Sequence, residues 1–244
     1  MKGYFTMTND HVDVTALQQQ LQTQRAVQDA IARTFAPEDE GLRSALEAAK
    51  EAGMPEIQIS PLQGKLLQFL AITCNAKKIL EIGSLAGYSG IWLARALPAD
   101  GRLITLEIDP KHAEAVRNSF ARAGVGDRTE VRVGKAADLL PQLESEAPFD
   151  LVFIDADKAP YSEYLAWALR YTQPGSIIIA DNTIRQGAGL SNPGPQADSY
   201  TTGIVEYNKR VVNNPRLLSL ALAIDDDNTD GFTIAVVLPE EKRS

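Results

Sequence analysis

Two short polar segments, each placed directly after a mostly apolar run, carry the clearest chemical signal in the sequence. Asp155 follows the run Leu151–Ile154, and Asp181 and Asn182 follow the run Ser176–Ala180. If both runs form neighbouring parallel strands, their carboxyl ends lie about 5 Å apart. Carboxylate and amide oxygens that meet there suit a hard divalent cation such as Mg²⁺. We therefore predict a cation site at this edge of the sheet, where open α/β folds normally bind ligands.

A lysine lies beside the predicted cation site. Lys158 ends the segment Asp155–Lys158. An adjacent dication would lower the pKa of this lysine and favour its neutral form. Asp157 lies two residues beyond Asp155, and we do not count it among the ligands. Taken singly, these residues could also be a loop cap and a surface ion pair.

A glycine-rich segment after an earlier strand candidate indicates a second binding feature. Gly83, Gly87 and Gly90 follow Lys78–Ile82, and such glycines let a loop bring its backbone close to a ligand. Their spacing is neither that of a dinucleotide fingerprint nor that of a phosphate loop. Glu107 ends the next strand candidate about 20 residues further on, where an acidic side chain can accept both hydroxyls of a ribose.

The predicted ligand of this loop is S-adenosylmethionine rather than NAD. A sulfonium cofactor has no pyrophosphate to be held, and Glu81 suits a cationic amino group better than a phosphate. The structural alternatives are a tight turn for the loop and plain strand-end charges for Glu81 and Glu107.

Composition indicates a globular protein without a basic binding surface. The chain has 244 residues, 44% of them hydrophobic, and a net charge of −8, which argues against nucleic-acid or anionic-membrane partners. No apolar stretch reaches the ~18 residues of a membrane span, and residues 1–10 lack the apolar core of a signal peptide. The single cysteine, Cys74, fits a reducing compartment. We expect a cytoplasmic protein without nucleic-acid or membrane partners.

The elements that must position these residues alternate in type. Strand candidates separated by helical patterns predict βαβ units and a parallel, doubly wound sheet. The strand candidates are Lys78–Ile82, Leu103–Glu107, Thr129–Val133, Leu151–Asp155, Ser176–Asp181, Leu217–Ile224 and Phe232–Leu238. The helical patterns between them are Gly90–Leu97, Pro110–Ala123, Ala137–Leu143, Tyr161–Arg170 and Gly203–Val212.

In order and spacing, these segments resemble the cation-dependent O-methyltransferases of the caffeoyl-CoA and catechol type. The segments that carry the resemblance are Lys78–Gly90, Glu107, Phe149–Lys158 with Tyr161, and Gly175–Asn182. The resemblance runs from about Ser60 to Leu238. It implies an α/β class I S-adenosylmethionine-dependent methyltransferase (Rossmann-like) fold. Such a fold has a seven-stranded, mostly parallel sheet with an antiparallel last strand and helices on both faces, here with extra N-terminal helices.

The resemblance also implies roles for individual residues. Asp155, Asp181 and Asn182 would bind the divalent cation, which is Mg²⁺ or another such as Ca²⁺ or Mn²⁺. Lys158 would be the base, and Asp155 would also be catalytic. The residues implied to contact S-adenosylmethionine are Glu81, Gly83, Ser89, Glu107, Ala136 and Asp155. The implied activity is methyl transfer to a hydroxyl of a catechol-like small molecule. The alternatives are an NAD-dependent oxidoreductase and a non-catalytic S-adenosylmethionine-binding protein.

The N-terminal part reads as helical patterns that belong to the same domain. Two of them, Val14–Arg33 and Glu40–Ala52, precede a third that starts at Ser60 and Pro61, with Ser60 as N-cap. We expect one domain over residues 1–244, with a helical cover or dimerisation segment at 1–59 and a Rossmann-like catalytic core at 60–244. The N-terminal helices carry apolar stripes without an evident partner in the chain, which predicts a homodimer.

The sequence departs from the family's pattern near the expected acceptor. Thr183–Gly187 stands where the family often has an apolar or aromatic residue followed by Trp. The next segment, Ala188–Tyr200, is rich in Gly, Pro and Ser and predicts a mobile loop over the site. Arg185 could meet an acidic acceptor or face solvent. Tyr161 and Tyr164 could line the acceptor site or pack in the core.

Overall fold

A seven-stranded sheet lies at the centre of the protein in the computed structural model, which describes residues 14–224 and 229–239. The strands are β1 (Lys78–Ile82), β2 (Arg102–Glu107), β3 (Thr129–Val133), β4 (Phe149–Ile154), β5 (Thr172–Ala180), β6 (Leu217–Ala223) and β7 (Gly231–Val237). Their order is β3-β2-β1-β4-β5-β7-β6. Strand β7 is antiparallel to both of its neighbours, β5 and β6, and the other neighbouring strands are parallel to each other. The predicted fold class is confirmed, including the antiparallel last strand.

Eight α-helices accompany these strands in the described ranges. They are α1 (Val14–Phe35), α2 (Glu40–Glu51), α3 (Pro61–Thr73), α4 (Tyr88–Ala96), α5 (Pro110–Arg122), α6 (Ala136–Leu139), α7 (Tyr161–Arg170) and α8 (Ser199–Val212). Short 3₁₀ helices span Gly126–Arg128, Leu140–Glu146 and Arg185–Leu190. Within the described part of the chain, no helix combines the length and the apolarity needed to cross a membrane.

Two of the predicted bounds were wrong for local reasons. The pattern Ala137–Leu143 divides into α6 and a 3₁₀ helix, because Pro141 has no backbone N–H with which to continue an α-helix. Helix α8 begins at Ser199 rather than Gly203, since the Asp198 side chain accepts a hydrogen bond from the Thr201 N–H and caps the helix. The predicted loop over the site is therefore partly helical at both of its ends.

Two apolar cores hold the sheet from its two faces. The central strands β1, β2 and β4 are buried on both sides, as the continuous apolar runs of a parallel sheet require, whereas the edge strands β3 and β6 are more exposed. One core packs residues of α2 to α5, such as Leu42, Leu67 and Trp92, against the sheet. The other packs residues of α7 and α8, such as Tyr161 and Tyr207. Burial on both faces fixes the register, because a slip by one residue would exchange the residues of the two cores.

The register of the central strands brings three chain positions to one edge of the sheet. The last residues of β1, β4 and β5 are paired side by side. The ladder continues one step beyond them: the Asp155 N–H donates to the Ile82 carbonyl (2.9 Å), and the Asp181 N–H donates to the Ile154 carbonyl (3.0 Å). Gly83, Asp155 and Asp181 therefore lie next to one another, as the sequence predicts.

Candidate active site

A cavity of about 760 Å³ opens at this edge of the sheet. Its wall contains most of the residues predicted to act in the site. These are Gly83, Ser89, Glu107, Ala136, Asp155, Lys158 and Asn182. Glu81 and Asp181 are buried behind the wall, with exposed fractions of 0% and 4%. The edge of the sheet thus collects the predicted residues in one place, in two layers.

The glycine loop after β1 fits tightly against the strand that carries Asp155. Gly83 has φ +94°, in the left-handed region, and a Cβ atom there would lie 2.1 Å from the Asp155 carbonyl oxygen. Real Cβ atoms do not approach an oxygen so closely. Only glycine can occupy this position without moving the backbone of Asp155.

Glu107 anchors the same loop from the end of β2. One of its carboxylate oxygens accepts hydrogen bonds from the Ser84 N–H (3.4 Å) and the Leu85 N–H (3.0 Å). The other oxygen accepts one from the Asp109 N–H (2.9 Å). A carboxylate has about four lone-pair positions. The Ser84 hydroxyl is a fourth donor, at 3.4 Å. Glu107 therefore holds the loop firmly while it lines the cavity.

Glu81 reaches the cavity only through another side chain. Its carboxylate accepts hydrogen bonds from the hydroxyls of Ser89 (2.6 Å) and Thr105 (2.6 Å), and Ser89 lines the cavity. Burial raises the pKa of Glu81 from 4.5 to about 7, against the opposing effect of the two hydroxyls. The acid behind the wall is thus poised between its neutral and charged forms near pH 7.

Asp155 and Lys158 form a charged pair on the cavity wall. The Lys158 Nζ donates to the Asp155 Oδ1 at 2.6 Å. The lysine is almost fully buried, and its ammonium also lies 5.0 Å from the centre of the Tyr161 ring. The backbone of Lys158 is also held in place, because Gly203 of α8 packs against its carbonyl oxygen. The ammonium is therefore held at one point beside the carboxylate.

Asp181 is a buried carboxylate with a second acid close by. Burial raises its pKa well above the usual range, the negative charge of Asp155 raises it further, and the positive charge of Lys158 opposes both. Its Oδ1 accepts hydrogen bonds from the Asn182 N–H (2.6 Å) and from the Gln63 Nε2 (3.3 Å). One lysine thus serves two acidic side chains: with both ionised, the described residues bring one positive charge to two negative charges at this point.

The donor set at this point fits a hard cation. Asp155 and Asp181 offer carboxylate oxygens, and Asn182 offers an amide oxygen from a left-handed backbone position with φ +55°. Such oxygens suit Mg²⁺, Ca²⁺ or Mn²⁺. The described residues contain no cluster of three or more His, Cys, Asp or Glu able to hold a metal ion. The predicted set of two acids and one amide is compatible with that finding.

The two tyrosines of α7 have different surroundings. Tyr161 is fully buried, and its hydroxyl donates to the carbonyl oxygens of Ile154 (3.2 Å) and Asp181 (3.1 Å). Tyr164 lines the cavity. The Tyr161 hydroxyl therefore holds the ends of β4 and β5 together, while Tyr164 is available to a ligand.

Arg185 is held away from any acceptor. Its guanidinium pairs with Asp198 (3.2 Å), donates to the Thr201 hydroxyl (2.6 Å) and stacks on the Tyr200 ring, 4.4 Å from its centre. Tyr200 lines the cavity. Arg185 thus holds the start of α8 and, with it, the tyrosine that closes one side of the cavity.

Asp230, just before β7, fixes the turn on which Arg185 lies. One of its carboxylate oxygens accepts hydrogen bonds from the N–H groups of Ile184 (3.0 Å), Arg185 (2.9 Å) and Gly231 (2.8 Å). Arg185 and the following Gln186 both have left-handed φ values. The three bonds offset the strain of this turn, which lies directly behind the predicted cation ligands.

Several residues of the site lie outside the sequence predictions. Asp157, which we did not count as a ligand, lines the cavity with an exposed side chain, and Ile57 and Ile59 line it from the segment before α3. No sequence pattern predicts that Ile57 and Ile59 reach the cavity, because they lie far along the chain from the strand ends. For Gln63 a signal exists, since Ser60-x-x-Gln63 is the spacing of a capping box, although this spacing predicts only a helix start.

Comparison with known proteins gives consistent matches. The profile of the O-methyltransferase family matches residues 33–236. A catechol O-methyltransferase of Niastella koreensis is 55% identical over 203 residues, which cover 82% of this chain and 91% of that protein.

Solved structures agree with the sequence matches. The Bacillus cereus O-methyltransferase in complex with S-adenosylhomocysteine (SAH) has a TM-score of 0.81 and 40% identity, covering 89% of this chain and 99% of that one. The Streptomyces achromogenes O-methyltransferase TomG, involved in tomaymycin synthesis, is in complex with S-adenosylmethionine. It has a TM-score of 0.81 and 37% identity, covering 90% and 99% of the two chains.

The tight fit of Gly83 generates a prediction. We expect Gly83→Ala to weaken SAH binding by at least about tenfold, because the methyl group displaces the Asp155 backbone. Gly124→Ala is the matched control: Gly124 has φ +68° but open space around its Cβ position. Both variants should lose roughly 1 kcal/mol of stability from the left-handed backbone. Isothermal titration calorimetry with SAH checks this, and equal affinities for the two variants would contradict it.

The pKa of Glu81 generates a second prediction. Between pH 4.5 and about 7 the unfolded chain releases this proton while the folded chain keeps it, so Glu81 lowers folding stability as the pH rises. Glu81→Gln stays neutral: its single oxygen can accept from one of the two hydroxyls, and its NH₂ group can donate to the other. Its stability relative to the wild type should therefore rise by up to roughly 3 kcal/mol across this window. Urea unfolding without cofactor measures it, and a pH-independent difference would refute the assignment.

Proposed function

This chain belongs to the O-methyltransferase family, and we propose that it methylates one hydroxyl of a catechol-like small molecule with the help of a divalent cation. As a family member it is an S-adenosylmethionine-dependent O-methyltransferase. The matches give no support to the alternative of an NAD-dependent oxidoreductase.

The observation that carries the cation is the charge balance at the strand ends. Asp155 and Asp181 interact electrostatically. Among the described residues, Lys158 is the one positively charged side chain that bonds to either of them. A second positive charge at this point would relieve both burial and repulsion. Asp155, Asp181 and Asn182 would hold it. When bound, a divalent cation favours the deprotonated form of a nearby hydroxyl.

The cavity supports a small aromatic acceptor. Beside Asp155 and Asn182, its wall includes the rings of Tyr164 and Tyr200 and the aliphatic side chain of Ile57. Such a wall suits a flat, mostly apolar ring with polar groups at one edge. The catechol O-methyltransferase name of the Niastella koreensis relative points to the same class of acceptor.

The cofactor is assigned to the other half of the cavity. We expect Glu107 to accept the ribose hydroxyls, Ala136 to lie near the adenine, and Gly83 to give room for the methionine part. Ser89 lines the same half and is fixed by Glu81. We expect Asp155, which lines the cavity, to lie between the two halves, where the methyl group would pass from donor to acceptor.

The chemistry of transfer is an in-line displacement. The acceptor oxygen forms a bond to the methyl carbon while the carbon–sulfur bond breaks. The electron pair of the broken bond goes to sulfur and removes the positive charge of the sulfonium. The neutral amine of Lys158, which a cation bound beside it would favour, would then be the group placed to take the hydroxyl proton. Asp155 orients that amine at 2.6 Å. Because the residues contribute mainly position and charge, their rigidity matters for the rate.

A homodimer remains part of the proposal. The apolar side chains of α1 are largely exposed in the single chain: Leu21 by 50%, Val27 by 52%, Ile31 by 38% and Phe35 by 68%. At 100° per residue all four fall on one side of the helix. A second copy that covers this stripe would remove it from water.

The proposed chemistry predicts cation-dependent turnover. The wild type should methylate a dihydroxybenzene with Mg²⁺ present and lose activity with EDTA. Asp155→Ala and Asp181→Ala should each lower kcat/KM by more than about 100-fold. Lys158→Ala should lower kcat by about 10²- to 10⁴-fold while SAH affinity is kept.

The matched control for these variants is Asp100→Ala. Asp100 is an exposed carboxylate paired with Lys77 at the opposite, amino end of the sheet, and its loss should leave turnover unchanged. Full activity of the wild type in EDTA would remove the cation from the proposal. Equal activity on a monohydroxy phenol and on the dihydroxybenzene would contradict the proposal of a catechol-like acceptor.

The apolar stripe of α1 predicts the effect of a charge in the dimer. Ile31→Glu should raise the dimer dissociation constant at least about tenfold, because an unpaired carboxylate would be buried in the interface. Gln22→Glu is the control, since Gln22 lies on the opposite side of the helix. Sedimentation equilibrium measures both. A monomeric wild type, or a dimer insensitive to Ile31→Glu, contradicts this assignment of the interface.

A further inference from the structure

A buried glutamine from the N-terminal part touches the predicted cation site. Gln63, on the first turn of α3, is only 4% exposed, and its Nε2 donates to the Asp181 Oδ1 at 3.3 Å. The two residues are 118 positions apart in the sequence. We propose that Gln63 is a positioning residue that orients the Asp181 carboxylate for the cation, an inference that rests on the proposed cation site.

The helix cap decides which end of the Gln63 amide faces Asp181. Its Oε1 accepts a hydrogen bond from the Ser60 N–H (2.8 Å), and the Gln63 N–H donates to the Ser60 hydroxyl (3.2 Å). These two bonds form the capping box of α3. With its oxygen engaged there, the amide presents its NH₂ group to the carboxylate. The same side chain therefore caps the N-terminus of the helix and binds the Asp181 carboxylate.

The hydrogen bonds to Asp181 fall on one of its two oxygens. The Oδ1 accepts from both Gln63 and the Asn182 N–H. Among the described residues no donor bonds to the Oδ2. Two donors on one oxygen fix the rotation of the carboxylate, which leaves the other oxygen available to a cation.

Gln63 is itself held firmly. The next residue, Gly64, lies so close to the Trp92 ring that a Cβ atom would be 2.3 Å from it. Further along α3, Leu67 and Ala71 are fully buried in the core. The N-terminal end of α3 therefore cannot drift away from Asp181 without disrupting that packing.

The neutral amide is also the right kind of donor for this role. An ammonium or guanidinium in its place would neutralise Asp181 and repel a cation. An amide directs the carboxylate without adding a charge. Groups that orient a metal ligand in this way typically contribute 10- to 100-fold to metal affinity.

The test separates positioning from helix capping. Mn²⁺ binding to the full chain, without cofactor or acceptor, is measured by calorimetry and by the electron paramagnetic resonance of the free ion. Gln63→Met keeps the length of the side chain but removes the donor, and it should weaken Mn²⁺ binding roughly 10- to 100-fold. SAH affinity should stay unchanged, because Gln63 does not line the cavity.

Ser60→Ala is the matched control, because it removes the capping hydroxyl and leaves the Gln63 amide in place. Both variants should lower Tm by about 2–4 °C, but only Gln63→Met should lose Mn²⁺ affinity. Wild-type Mn²⁺ affinity in Gln63→Met overturns the inference and leaves the cation site standing. An equal loss in Ser60→Ala also overturns it, because a loosened α3 would then be the cause.

Two further outcomes complete the test. A wild type that does not bind Mn²⁺ removes the proposed cation and this inference together. If Gln63→Met fails to fold, the wild type labelled with isotopic glutamine decides: the side-chain amide signal of Gln63 should shift when Mg²⁺ saturates the site. An unchanged signal overturns the positioning role.

Discussion

Carboxyl groups crowd at one edge of a parallel sheet, and much of the structure serves to keep them there. In-register strands place Asp155 and Asp181 side by side, with Glu81 and Glu107 one or two strands away. Buried like charges repel, so each acid needs its own compensation. Glu107 is held by backbone N–H groups, Glu81 by two hydroxyls, and Asp155 by a lysine. Asp181, like Glu81, has neutral hydrogen-bond donors and is repelled by a second acid.

The surrounding elements can be understood as supports for this edge. The two cores fix the register of the strands, and a slip of one residue would turn Asp155 and Asp181 into the wrong layers. Tyr161 braces the ends of β4 and β5 from one side, and α3 braces Asp181 from the other through Gln63. Rigid placement is what a methyl transfer requires of its surroundings, since its rate depends strongly on alignment.

How far the sequence predicts this arrangement depends on the range of the interaction. Apolar runs and their order predict the strands. They also predict that Asp155 and Asp181 meet, because each residue directly follows one of two strands expected to be neighbours. The start of α3 is predictable from Ser60 and Pro61. The bond from Gln63 to Asp181 is not, since it depends on how α3 packs on a sheet over 100 residues away. Tyr200 likewise reaches the cavity through contacts that no local pattern encodes.

The turn fastened by Asp230 has a consequence for how the protein is made. The loops assigned to the cofactor lie between residues 83 and 137, so they leave the ribosome early. The turn behind the cation ligands waits for Asp230 and for β7, which pairs with β5. The turn therefore cannot form its full set of hydrogen bonds until the chain has been made as far as the last strand of the sheet.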